Sequence, residues 1–288
     1  MKNIKLRPAL FLGLASIFLV SCAEAPKKET AKEEIKETTQ VEETEMMEED
    51  LSFMLPSPIQ IAAMFNRAGL EYKSGITNPV ENLEKYNTKT AKYLNFGVYS
   101  ADLAYVVLNH EQQASIDYLN AVKKLSDEIG MPSIFGTGEL IKSFEKNIDN
   151  QDTILTILTT IKQRTDEYLA ENSEKSKESV FFASAWVEGM YLGANSNAKG
   201  GKVAARLVEQ MTILSDIIKA LKAQKDSSLD LANLVDSLTK LHETFNSFDS
   251  VKTLESTDTD ISEVELTEAE ITELSNQINT IRTQIVNG

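Results

Sequence analysis

From Leu51 onward, apolar side chains recur at spacings of three and four, the period of an amphipathic helix. Leu207, Met211, Leu214, Ile218 and Leu221 form one such stripe. Strand-type alternation is nearly absent. Glycine and proline, 12 and 6 in the chain, gather at apparent element boundaries. The pattern predicts helices near 57–72, 80–108, 111–129, 138–149, 152–172, 176–194, 202–223, 228–247 and 267–286. The expected fold is all-α, a multi-helix bundle. Asn78-Pro79-Val80-Glu81 offers an N-cap, a proline at the first helical position and a glutamate three residues after the cap. Gly130 with Pro132 predicts a stop after Ile129, and Thr137 a cap for a helix from Gly138. Gly200-Gly201 breaks the chain before the helix at 202–223.

The last helix reads differently. Ile271, Leu274, Ile278, Ile281 and Ile285 make a narrow heptad seam. It suits packing against the parent bundle, or docking on a protein partner or a second copy. Before it, Asp249 to Glu270 carries eight acids and one lysine. This predicts an acidic linker at 249–266 and a C-terminal helix at 267–288. An internal repeat is also suggested. At an offset of 86, Phe96 meets Phe182, Asp102 meets Glu188, Tyr105 meets Tyr191 and Asn109 meets Asn195. At an offset of 89, Leu125-Ser126-Asp127 meets Leu214-Ser215-Asp216. The helical domain at 51–248 then divides into two similar four-helix units, 57–149 and 152–247.

The N-terminus carries an address. Lys2, Lys5 and Arg7 precede an apolar run of 12 residues, Ala9 to Val20. A spanning helix needs roughly 20 apolar residues, so the run fits a signal peptide instead. It ends in Leu19-Val20-Ser21-Cys22, which resembles the lipobox of bacterial lipoproteins. The resemblance implies cleavage of 1–21 and a lipid on Cys22. An ordinary signal peptide with an incidental cysteine is the plainer alternative. Stable anchoring takes more than one acyl chain, which a diacylglyceryl cysteine supplies. Ala23 rather than aspartate follows, which for this class implies passage to the outer membrane. Residues 22–50 then read as a disordered acidic tether, with eleven acids, four bases and no aromatic from Ala23 to Asp50. Such a chain spans roughly 30 Å.

Composition narrows the chemistry. The net charge is −15, which disfavours a phosphate backbone as partner, so no nucleic acid is expected. Removing three signal-peptide cations makes the mature chain more acidic still, but most of that charge lies in the tether and linker. Two histidines and one cysteine leave little for a metal centre, and no metal or cofactor is expected. His110-Glu111 and His242-Glu243 each lack the second histidine of a zinc helix, with Ala114 and Asn246 at that place. No G-x-S-x-G elbow occurs. Gly136-Thr137-Gly138 lacks a third glycine and a preceding strand. Lys199-Gly200-Gly201-Lys202 fits a solvated turn better than an anion site. Asp258-Thr259-Asp260 starts like a calcium loop but has Ala269 at the twelfth position. No catalytic residue is assigned.

One constellation remains. Asp102 with Tyr105, and Glu188 with Tyr191, are i,i+3 pairs on helices that are otherwise apolar. A carboxylate there must be hydrogen-bonded or solvated. Asp102, Tyr105, Trp186, Glu188 and Tyr191, with Tyr99 nearby, are therefore candidate ligand-binding residues for a cation or a sugar-like molecule. The plainer reading has each acid meeting a tyrosine hydroxyl or water. Phe96-Gly97-Val98-Tyr99-Ser100-Ala101-Asp102-Leu103-Ala104-Tyr105, with Tyr118 to Leu125, resembles uncharacterised helical lipoproteins of Bacteroidota. That resemblance brings no activity, but it implies an envelope location. The expectation is a lipid-anchored binding or scaffolding module at the outer membrane, with no catalytic activity inferred; the alternative is a ligand-binding protein or enzyme using the acidic and aromatic residues around Asp102 and Glu188.

Overall fold

The computed structural model describes residues 57–195, 201–255 and 264–288. The signal segment, Cys22, the tether, the Lys199-Gly200 turn and the Asp258-Thr259-Asp260 run lie outside them. Among the described residues the chain forms eleven α-helices and no strands. They are α1 Pro58–Arg67, α2 Lys89–Leu108, α3 Gln112–Glu128, α4 Glu139–Lys146, α5 Gln151–Glu171, α6 Glu178–Ala194, α7 Gly201–Met211, α8 Leu214–Lys222, α9 Ala232–Ser247, α10 Asp249–Glu255 and α11 Glu268–Asn287. Short 3₁₀ turns stand at Val80–Lys85, Pro132–Phe135 and Lys175–Lys177. The all-α bundle expected from the pattern is what forms.

Two helices are apolar on every face and must therefore be central. Fifteen of the 20 residues of α2 are buried, and 13 of the 17 of α6. These two pack on each other, and the rest surround them. The outer helices each bury one stripe. In α5 it is Ile154, Ile157, Ile161, Thr165 and Leu169, and in α9 it is Leu234, Leu238, Leu241 and Phe245. The heptad seam of α11 lies on α6, α9 and α2, with Leu274, Ile278, Ile281 and Ile285 buried. The seam is thus covered within the chain.

The α2–α6 crossing is close enough to exclude a side chain. A Cβ at Gly97 would stand 2.1 Å from Ser184 Oγ and 2.2 Å from the Phe181 carbonyl oxygen. On another face of α6, Gly189 and Gly193 make hollows for α1. A Cβ at either would meet Ile61 Cγ2 at 2.8 Å or Phe65 Cε1 at 2.7 Å. Ile61 and Phe65 are one turn apart, as are the glycines.

Several boundaries differ from the sequence expectation, each for a local reason. Asn78 does not cap a helix. It is fully buried, its side chain is used in the core, and Val80–Lys85 is 3₁₀. The cap of α2 is Thr88, whose Oγ1 accepts from the Ala91 N–H at 3.0 Å. Thr137 gives way to Gly138, at φ 85°, as the N-cap of α4. The helix expected at 202–223 breaks after Met211. The Thr212 hydroxyl donates to the Glu209 carbonyl at 2.6 Å and competes with the helical ladder. The expected stripe from Leu207 to Leu221 is nonetheless buried throughout. Part of the acidic linker is helical, as α10, with Val251 buried. Glu270 explains its placement. It completes the Thr267 capping box and accepts from Ser250 Oγ at 2.7 Å, tying α10 to the start of α11. Gly130 does end α3 as expected, at φ 87°, with Met131 N–H reaching the Ser126 carbonyl at 2.8 Å.

The two central helices end alike. Asn109 and Asn195 cap α2 and α6 alike, each side chain donating to the carbonyl four residues back, at 2.8 and 2.9 Å. Leu125-Ser126-Asp127, however, ends α3, whereas Leu214-Ser215-Asp216 opens α8. One buried apolar cluster runs through both halves, so they share a core.

Gly97→Ala is expected to destabilise the protein by the upper end of the roughly 1–3 kcal/mol typical of overpacking, because one clash is with backbone. Gly201→Ala, which meets open space, is expected to change little. Urea midpoints of the two variants check this. Equal midpoints would mean that the crossing is looser than described.

Candidate functional site

Asp102 on α2 and Glu188 on α6 come together at the helix crossing. Both are fully buried, and each carboxyl acts on the titration of the other. Arg282 of α11 closes the cluster. Its Nε donates to Glu188 Oε2 at 3.0 Å and its Nη2 to Oε1 at 3.2 Å, the bidentate geometry of a strong charge-assisted pair. The guanidinium also lies over the Tyr191 ring, 4.5 Å from its centre. Asp102 Oδ2 accepts from the Asn78 backbone N–H at 3.0 Å.

The protons follow from this geometry. Burial and the neighbouring Glu188 charge hold the Asp102 carboxyl well above its ordinary pKa. Burial also raises Glu188, but the Arg282 charge and its hydrogen bonds oppose that rise. Asp102 is therefore the protonated member. Asp102 Oδ1 is buried and has no hydrogen-bond partner among the described residues. One neutral acid, one carboxylate and one guanidinium leave no net charge in the core.

A wider polar network fixes the same elements. Asn78 Nδ2 donates to Tyr86 Oη at 2.9 Å and Asn95 Oδ1 at 3.3 Å. Tyr99 donates to the Pro79 carbonyl at 2.8 Å and Tyr118 to the Asn78 carbonyl at 2.9 Å. Burial pushes both hydroxyls above the usual tyrosine range, so they stay donors. Asn95 Nδ2 and Tyr86 Oη donate to the Ile285 and Val286 carbonyls of α11, at 3.0 and 3.2 Å. The last turn of α11 is thus held by side chains of the core.

The other candidate residues divide. Tyr191 joins the cluster through Arg282. Tyr105 does not meet Asp102. Its hydroxyl accepts from the Lys73 N–H at 2.7 Å and donates to the Glu71 carbonyl at 3.2 Å. Trp186 is enclosed in the core, and its Nε1 has no hydrogen-bond partner among the described residues. The structure therefore brings Asp102, Glu188 and Tyr191 together inside the fold. Arg282 occupies the place a ligand cation would take. Arg282 was missed because an arginine flanked by Ile278, Ile281 and Ile285 reads as the wet side of a heptad.

Open space lies elsewhere. A cavity of about 410 Å³ opens between α1, α2, α3, α5, α6 and α8. Leu103, Val122, Leu158, Ile161 and Phe181 give it apolar walls. Ser100 and Thr165 also line it, but their hydroxyls are spent on the carbonyls of Phe96 and Ile161, at 2.7 and 2.8 Å. Small side chains, among them Ala104 and Ala220, leave the space. Its volume falls within the roughly 300–1,000 Å³ of small-molecule sites. No sequence signal marked it, because the walls come from six separate helices.

Compared with known protein families, characterised proteins and solved structures, the chain matches none.

Two outcomes test the acid cluster. Arg282→Met leaves Glu188 buried without its partner and is expected to cost roughly 3–5 kcal/mol, most of which Glu188→Met in the same chain restores. Asp102 carries the pH dependence. Its folded pKa lies above the ordinary 3.8, so its contribution is complete below that pH and falls as pH rises toward the folded value. Asp102→Asn removes this loss. Relative to wild type it is expected to gain stability progressively as pH rises above about 4 in thermal melts. A constant difference would mean that Asp102 is ionised in the fold.

Proposed function

We propose that the protein is a non-catalytic binding module of the bacterial cell envelope, held at the outer membrane by lipid on Cys22. The observation that carries the binding role is the contrast between two sites. The acid cluster is buried, with Arg282 already on Glu188, whereas the apolar cavity is formed and open. The anchor rests on the charged n-region, the short apolar run and the Leu19-Val20-Ser21-Cys22 motif. Among the described residues no helix is long and apolar enough to cross a membrane, so attachment in this reading falls to the lipid. The acidic tether supports it too, since its excess of carboxylates is repelled by an anionic membrane surface and holds the helical body away.

The two halves of the proposal are tested separately. Cys22→Ser is expected to move the protein from the membrane pellet to the soluble fraction. Retention in the pellet would overturn the lipid anchor. A photoreactive residue in place of Ser100, on the cavity wall, is expected to give adducts of small-molecule mass in intact envelopes. The same residue in place of the exposed Thr280 is expected to give none. An absence of adducts at Ser100 would overturn the binding role.

A further inference from the structure

The cavity differs in character between wall and rim. Its walls are apolar, and the hydroxyls of Ser100 and Thr165 are already bonded to their own helices. Neither hydroxyl has a proton left to donate to a ligand. The rim is cationic. Lys162, Lys175, Lys219 and Lys225 border the cavity, against two acids, Asp166 and Glu178. In a chain of net charge −15 this is a local reversal of sign. The Lys162 and Lys219 side chains are 41% and 64% exposed, which places them at the solvent side. Lys162 pairs with Asp166 and, at 3.6 Å, with Glu178, and Lys219 pairs with Asp216 at 3.0 Å; all are surface pairs. Such pairs are worth at most about 1 kcal/mol, so an incoming anion can replace them.

From this arrangement we infer that the cavity holds a single-chain amphiphile with an anionic head, specifically a free fatty-acid carboxylate. The inference rests on the binding role proposed above and names its ligand. Size selects one chain. At about 30 Å³ for each water-sized unit, which is also close to the volume of a methylene, the cavity takes about a dozen carbons. Two acyl chains of a phospholipid exceed it. The tail gains from burial at about 0.8 kcal/mol per methylene, and the lysines select the sign of the head.

Calorimetric titration of the full chain carrying Cys22→Ser, which has no lipid of its own, tests the inference. Dodecanoate is expected to bind one per chain and to lose affinity as salt rises. Dodecyl maltoside, with the same tail and no charge, is expected to bind at least tenfold more weakly. Ala220→Trp, on the partly exposed side of α8, fills the cavity and is expected to reduce dodecanoate binding at least tenfold with an unchanged helical spectrum. Should that variant misfold, Ser100→Trp replaces it. Lys175→Glu with Lys219→Glu is expected to weaken dodecanoate about tenfold and leave dodecyl maltoside unchanged. No dodecanoate binding, equal binding of the two amphiphiles, or undiminished binding in the filled variant would each overturn the ligand class. Adducts at Ser100 without dodecanoate binding would leave the binding role standing and remove only this ligand.

Discussion

The structure turns on one constraint, two carboxyl groups enclosed where α2 crosses α6. Neither acid can be ionised there alone, because the effective cost of stripping water from a charge is several kcal/mol. The resolution uses a third element. Arg282 brings a bidentate fork to Glu188, and a retained proton on Asp102 balances the rest. A core of apolar residues in the same volume would be as stable or more so. What the ionic cluster adds is register. Only one placement of α11 aligns the fork with Glu188, the ring of Tyr191 with the guanidinium, and the Ile285 and Val286 carbonyls with Asn95 and Tyr86.

The same close crossing shapes the cavity. Gly97 lets α2 and α6 meet backbone to side chain, and it also lies on the cavity wall. Alanines and serines continue the narrow surface outward onto α8. On α8 the residue that borders the space is Ala220. Tight packing and open volume are thus adjacent products of small side chains.

Much of the fold was legible because period reports which face of a helix is buried. The stripes of α5, α8, α9 and α11, and the glycine stop of α3, follow from spacing alone. Period does not report which neighbour covers a face. Asn78 looked like a cap because local pattern favours caps, but a buried tyrosine and asparagine compete for its side chain. Asp102 and Glu188 stood out as acids among apolar residues, and the expected need for partners was right in kind. The partner itself lies 94 residues beyond Glu188, on a helix whose arginine carries no local sign of its role. The Asp249–Glu255 helix was hidden by the acidity around it, although Val251 and the Ser250–Glu270 contact hold it in place.

The distance along the chain between Glu188 and Arg282 has a temporal meaning. Synthesis at roughly 5–20 residues per second puts about 5–20 s between the two side chains. Through that interval the central helices exist without their counter-ion. The charge balance of the central crossing is therefore complete only once the last helix has been made.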